Sequence, residues 1–198
     1  MQKFSQRSQL AIGSLLMLMM AATRSHHFAT PAHLPDATWA VFFVAGVYLS
    51  SAWWFALFVI LAVAVDWFAI TFGGVSSFCV TPAYAALLLG FGALWLGGRW
   101  YARHHRDRLT SLMPLTVAIA LSAVGAELCS SGSFYFFGGR FAHPMLAEFL
   151  VREARYFPMM LGVMVFYVAL ATMIHALFAL TGSRLHGQPG AKARALHS

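Results

Sequence analysis

Long apolar runs separated by short polar breaks organise the chain, and their spacing predicts six helices. A membrane-crossing helix needs roughly 20 apolar residues, or about 17 at the short end. On that scale the runs fall at about 8–23, 37–50, 52–72, 82–101, 112–128 and 157–181. The second and third are nearly continuous. Asp66 is the only charge between Ala37 and Phe72, and the polar pair Ser50-Ser51 marks the turn. Asp36, after Pro35 and before an apolar run, stands where an N-cap belongs. Thr81-Pro82 reads as an N-cap followed by proline at the first helical position, where the missing N–H costs nothing. The first run also fits a signal peptide, because Lys3 and Arg7 precede an apolar core that ends in the small pair Ala21-Ala22.

Composition turns these runs into a class. Of 198 residues, 60% are hydrophobic and only 10% charged, against about 25% charged in a soluble domain. Mean hydropathy is +0.72. An ordinary soluble enzyme and a disordered chain are both excluded, which leaves a single all-α polytopic membrane domain over 1–198. The net charge of +7 comes without a basic arm interleaved with aromatics, so it does not point to nucleic acid. It has a use in orientation. Six helices put both termini on one side, with Lys3, Arg7, Arg99, Arg103, Arg106, Arg108, Arg184, Lys192 and Arg194. The other side has Arg24, Arg140, Arg152 and Arg155. Nine against four places both termini in the cytoplasm. Two cysteines, Cys79 and Cys129, are too few for a disulfide framework; a single bridge between them stays open.

The opposite face collects the unusual chemistry. Gly73-Gly74 begins a loop that carries Cys79, two residues before the N-cap read at Thr81. A helix N-terminus favours thiolate, the form that reacts and binds metal; the alternative is a small apolar side chain filling a gap. His26 and His27, with His33 nearby, are either solvated or metal ligands. Asp66 lies about 10 Å down its helix from the loop at 1.5 Å per residue. It reads either as part of a ligand site or as half of a structural ion pair. Glu127, near the outer end of its helix, is less costly there. The stretch 143–153 reads as an amphipathic surface helix, from which Arg152 reaches Asp66, an amide-rich ligand or a lipid headgroup. Phe134 to Phe137 line a pocket or form an interfacial belt. Walker, Rossmann and nucleophile-elbow motifs are absent, so no nucleotide site is read.

The six short helices resemble the S-components of energy-coupling-factor vitamin transporters. Within that group, His27, Asp66, the run from Gly73 through Cys79 to Tyr84, and Arg152 look like the BtuM family of bacterial cobalamin (vitamin B12) transporters. The resemblance implies an inner-membrane cobalamin uptake protein with a pocket on the periplasmic face. It implies Cys79 as ligand to cobalt, and His27, Asp66, Tyr84 and Arg152 around the corrin. A thiolate on the lower face requires the ligand to be bound base-off. It also weakens the cobalt bond opposite, which predicts release of cyanide from cyanocobalamin with Cys79 as the catalytic group. Many S-components carry Ala-x-x-x-Ala in helix one for docking on a coupling subunit. Here Ala11 is followed four residues later by Leu15, which favours a solitary transporter over one that needs an energy-coupling module. Competing readings are a membrane enzyme that modifies the corrin, and a haem- or metal-ion-binding membrane protein. The topology has its own test: a reporter fused after Ser198 should be active only if it is a cytoplasmic one. Activity of a periplasmic reporter at that position would reverse the assignment.

Overall fold

A computed structural model describes residues 5–24, 34–105 and 111–186, and excludes the side chains of Cys79 and of 179–186. The described residues form helices and connecting turns, with no strand among them. The order is α1 (Gln6–Thr23), α2 (Thr38–Tyr48), α3 (Ala52–Phe72), two short 3-10 helices (Ser77–Cys79 and Pro82–Ala86), α4 (Leu87–His104), α5 (Leu112–Glu127), a π-helical turn (Leu128–Gly132), α6 (Ser133–Phe137) and α7 (Leu146–His186).

Among the described residues, three helical stretches are long and apolar enough to cross a membrane: Ala52–Phe72, Leu112–Phe137 and Leu146–Phe178. Their outward residues are large and apolar, among them Trp67, Phe68, Leu121 and Phe166, as lipid contact requires. The boundaries depart from the sequence expectation in three places. The fourth run begins as the 3-10 helix Pro82–Ala86, so α4 proper starts only at Leu87. The fifth does not stop at 128. The π-turn carries it on into α6, because the hydroxyl of Ser133 returns to the carbonyls of Cys129 (2.5 Å) and Ser130 (3.0 Å) and satisfies groups that the wide turn frees. The surface helix read at 143–153 and the sixth run are one helix, α7, with Pro158 inside it. Proline removes a single hydrogen bond there, a defect that membrane helices tolerate.

The core is α2. Thr38 to Gly46 are buried without interruption, the pattern of a helix enclosed on all sides. α1, α3, α4 and α7 pack around it. Phe42 stacks on Phe91 at 4.3 Å and meets Phe55 and Phe58 edge-on at 5.7 and 5.9 Å. Two glycines bring α2 and α4 together. A Cβ at Gly98 would stand 2.0 Å from the Phe43 carbonyl oxygen, and one at Gly46 would stand 2.2 Å from that of Trp95. Small residues permit this backbone approach in membrane helices. At one end of the pair, Arg99 Nη1 donates to the carbonyls of Leu49 (2.8 Å) and Ser50 (2.9 Å), and the Gln9 side chain accepts from the Ser50 N–H at 3.1 Å. That fixes the α1 start, the α2–α3 turn and the α4 end on one side of the bundle.

Gly98→Val should therefore force α2 and α4 apart at a cost of about 1–3 kcal/mol. Thermal unfolding in detergent should fall well below wild type. Gly92→Ala, where a Cβ meets nothing within 4 Å, should not fall. Equal stability of both variants would show that the close approach is not structural.

Candidate functional site

At the opposite end, the end of α1, the start of α2, the end of α3, the 3-10 helix before α4 and the end of α5 converge. They leave a cavity of about 620 Å³, closed on a further side by Tyr156, Met159 and Met160 of α7. That volume lies within the range of small-molecule sites.

The floor is a polar network. Arg24, the C-cap of α1, is buried and holds Asp66 with two bonds, Nε to Oδ1 and Nη2 to Oδ2, each 2.7 Å. Its Nη1 donates to Thr38 Oγ1 at 3.1 Å, and Nε also reaches the Ala62 carbonyl at 3.2 Å. The Tyr84 hydroxyl donates to Asp66 Oδ2 at 2.5 Å. The guanidinium carbon lies 5.5 Å from the centre of the Phe91 ring. A two-pronged pair of this kind is the strong form of carboxylate recognition. Asp66 thus has a partner on another helix, and it is Arg24, not Arg152. Asp36 is not the N-cap of α2, a position taken by Ala37. Its Oδ1 instead accepts from the Thr38 N–H (2.8 Å) and hydroxyl (2.5 Å), and its side chain lines the cavity.

One wall is the loop after α3. Gly74 takes φ +67°, which glycine adopts without strain, and the Val75 N–H turns back to the Ala69 carbonyl at 3.2 Å. Phe78 and Val80 line the cavity. The backbone of Cys79, between them, closes the 3-10 turn Ser77–Cys79; its side chain lies outside what is described. Cys79 lies three positions before Pro82, where a 3-10 turn with Thr81 as its N-cap runs directly into α4, so the helix start read at Thr81-Pro82 is present, though without a side-chain bond from Thr81. Phe78 packs edge-on against Phe134 of α6 at 5.7 Å, and Arg140 sits 4.9 Å over the Phe78 ring. The opposite wall is the end of α5, where Glu127 is buried and accepts from the Ser131 hydroxyl at 2.6 Å.

No protein-family model and no curated protein matches the chain.

The cavity thus brings together Asp66 and Tyr84 of the expected site residues, with the loop that carries Cys79. Arg152 belongs to a second, smaller hollow that shares Ser131, Phe134 and Tyr156 with the first. There its guanidinium lies 5.1 Å from the Phe141 ring centre and 5.9 Å from that of Tyr135. His27, with His26 and His33, lies outside the described residues. Among the described residues no group of three or more His, Cys, Asp or Glu is placed to hold a metal ion. Cys129 is a free thiol beside the site. Sequence reasoning missed Arg24 as the partner of Asp66 and gave Asp36 and Glu127 too little weight. One signal was present, since a carboxylate inside an apolar helix demands a cation. Nothing in the spacing chose Arg24 over Arg140, Arg152 or Arg155.

Removing one member of this pair leaves a buried charge unmatched, at a cost of about 3–5 kcal/mol. Arg24→Met and Asp66→Leu should each lower the thermal midpoint in detergent, and the double variant should regain most of the loss. Singles that unfold at the wild-type temperature would show that the pair does not hold the floor.

Proposed function

We propose that the chain is a cobalamin uptake protein of the bacterial inner membrane. In this reading it crosses the membrane six times, in the manner of an S-component, with both termini cytoplasmic. It binds the corrinoid base-off from the periplasmic side, with Cys79 as axial ligand to cobalt. The observation that carries this reading is the placement of the Cys79 loop. Its neighbours Phe78 and Val80 line a cavity with a mainly apolar wall and a floor of hydrogen-bonding groups. An apolar wall suits a flat macrocycle, and carboxyl and hydroxyl groups suit its peripheral amides. Asp66 and Tyr84 meet the ligand at the floor, and the family resemblance adds His27 and Arg152 to the set.

A soft thiolate suits corrin cobalt. A thiol that coordinates a metal is deprotonated outright. The dimethylbenzimidazole tail gives up the lower position that sulfur takes. Thiolate donation then weakens the bond on the opposite face, as it changes reactivity at haem iron. In cyanocobalamin the cyanide leaves with the bonding pair and takes up a proton, while cobalt remains Co(III). No reductant is consumed. Leu15, large and exposed on α1, stands where a docking motif would need alanine, which favours transport without a coupling module.

Purified wild type with added cyanocobalamin should show a base-off corrin spectrum that changes over time as cyanide appears in solution. Cys79→Ala and Cys79→Ser should bind more weakly and release none. A haem-type spectrum, or no binding, would overturn the reading. Conversion at the wild-type rate by both variants would remove Cys79 from the chemistry.

A further inference from the structure

The reading of the cavity as a corrinoid site leaves open which corrinoids it takes, and its charged lining bears on that. Among the described residues the ionisable carboxyls at the cavity are Asp36, Asp66 and Glu127, against one guanidinium, Arg24. Arg24 is committed to the floor through its two-pronged bond to Asp66, the only ion pair among the described residues. Glu127, on the opposite wall, is only 6% exposed. Its carboxyl accepts from the Ser131 hydroxyl at 2.6 Å, and a second carboxyl, Glu153 of α7, lies near enough to interact with it, with its own Oε2 buried and unpaired. Arg152, next to Glu153 in the chain, is turned over Phe141 and Tyr135; its charge acts on Glu153 without closing an ion pair with either acid. Arg140 lies over Phe78. None of the outer arginines Arg140, Arg152 and Arg155 lines the main cavity.

We infer that Glu127 is a specificity-determining residue: it admits corrinoids whose periphery is fully amidated and turns away those that carry a peripheral carboxylate. The inference rests on the corrinoid reading and narrows its substrate class. An amide N–H donates to the Glu127 carboxylate. A ligand carboxylate at the same place is an acceptor facing an acceptor, with like charge in a water-poor setting. On this wall the Ser131 hydroxyl is already given to the Glu127 carboxyl and the Ser130 hydroxyl to the Glu127 carbonyl, so neither is free for a ligand carboxylate. A site built to receive a donor discriminates strongly against an analogue that lacks one.

The test uses the full-length protein in detergent. Dissociation constants are measured for cyanocobalamin and for its three monocarboxylic derivatives, each with one propionamide hydrolysed to the acid. Wild type should bind at least one derivative about tenfold or more weakly than the parent. Glu127→Gln should bring that derivative to within about threefold of the parent. Thr172→Ala, on α7 and in the lining of neither hollow, should keep the discrimination. Equal binding of all three derivatives by wild type overturns the inference without any variant, and leaves the corrinoid reading standing. Discrimination that survives in Glu127→Gln, or is lost in Thr172→Ala, removes Glu127 from the role. Failure of wild type to bind cyanocobalamin itself overturns the corrinoid reading, and this inference with it.

Discussion

The rest of this end of the molecule depends on one buried contact, the pair Arg24–Asp66. A carboxylate inside an apolar helix is costly without a partner. Its partner here comes from the end of a different helix, so α1 cannot shift relative to α3 without exposing both charges. Thr38 ties the start of α2 to the same guanidinium, and Tyr84 ties the segment before α4 to the same carboxylate. Four separate pieces of chain are thereby held at one point. The cavity above them has a floor because that point is fixed, and the floor already carries polar groups matched in geometry.

The second constraint is the enclosure of α2. It is too short to count among the three helices long enough to cross a membrane, and it is buried on every side. Its approach to α4 is backbone on backbone at Gly46 and Gly98. Close packing of this kind makes the centre stiff, so the parts free to differ are the segments around the mouth. Those segments are the loop with Gly74 and the turn with Gly139, both glycines at positive φ. They touch through Arg140 over Phe78.

One wall of the cavity is shaped by the loop that carries Cys79, which enters the helix at Pro82 through the 3-10 turns Pro82–Ala86. The π-turn after Glu127 has a comparable role on the far wall. By widening the helix it brings Ser131 to the Glu127 carboxyl and Ser133 to the carbonyls left over. Such turns recur at functional sites.

Much of this was legible in the sequence because hydrophobic burial is a property of runs of residues. The apolar stretches around α3, α5 and α7 gave the helical class and the helices able to cross a membrane. Asp66 was recognisable as a group that must have a partner, and the glycine pair 73–74 as a turn. The sequence could not choose that partner among four outward arginines, since the choice is made by which helix ends meet. It could not join the 143–153 segment to the last run, because a proline that would end a helix in water is tolerated where neighbouring groups supply the missing bond. Nor could it turn Asp36 and Glu127 toward one cavity. Local composition determines which segments leave water, and each segment reads that from its own residues. Which charges then face each other depends on contacts between residues far apart in the chain, as between Arg24 and Asp66, and only the packed helices decide it.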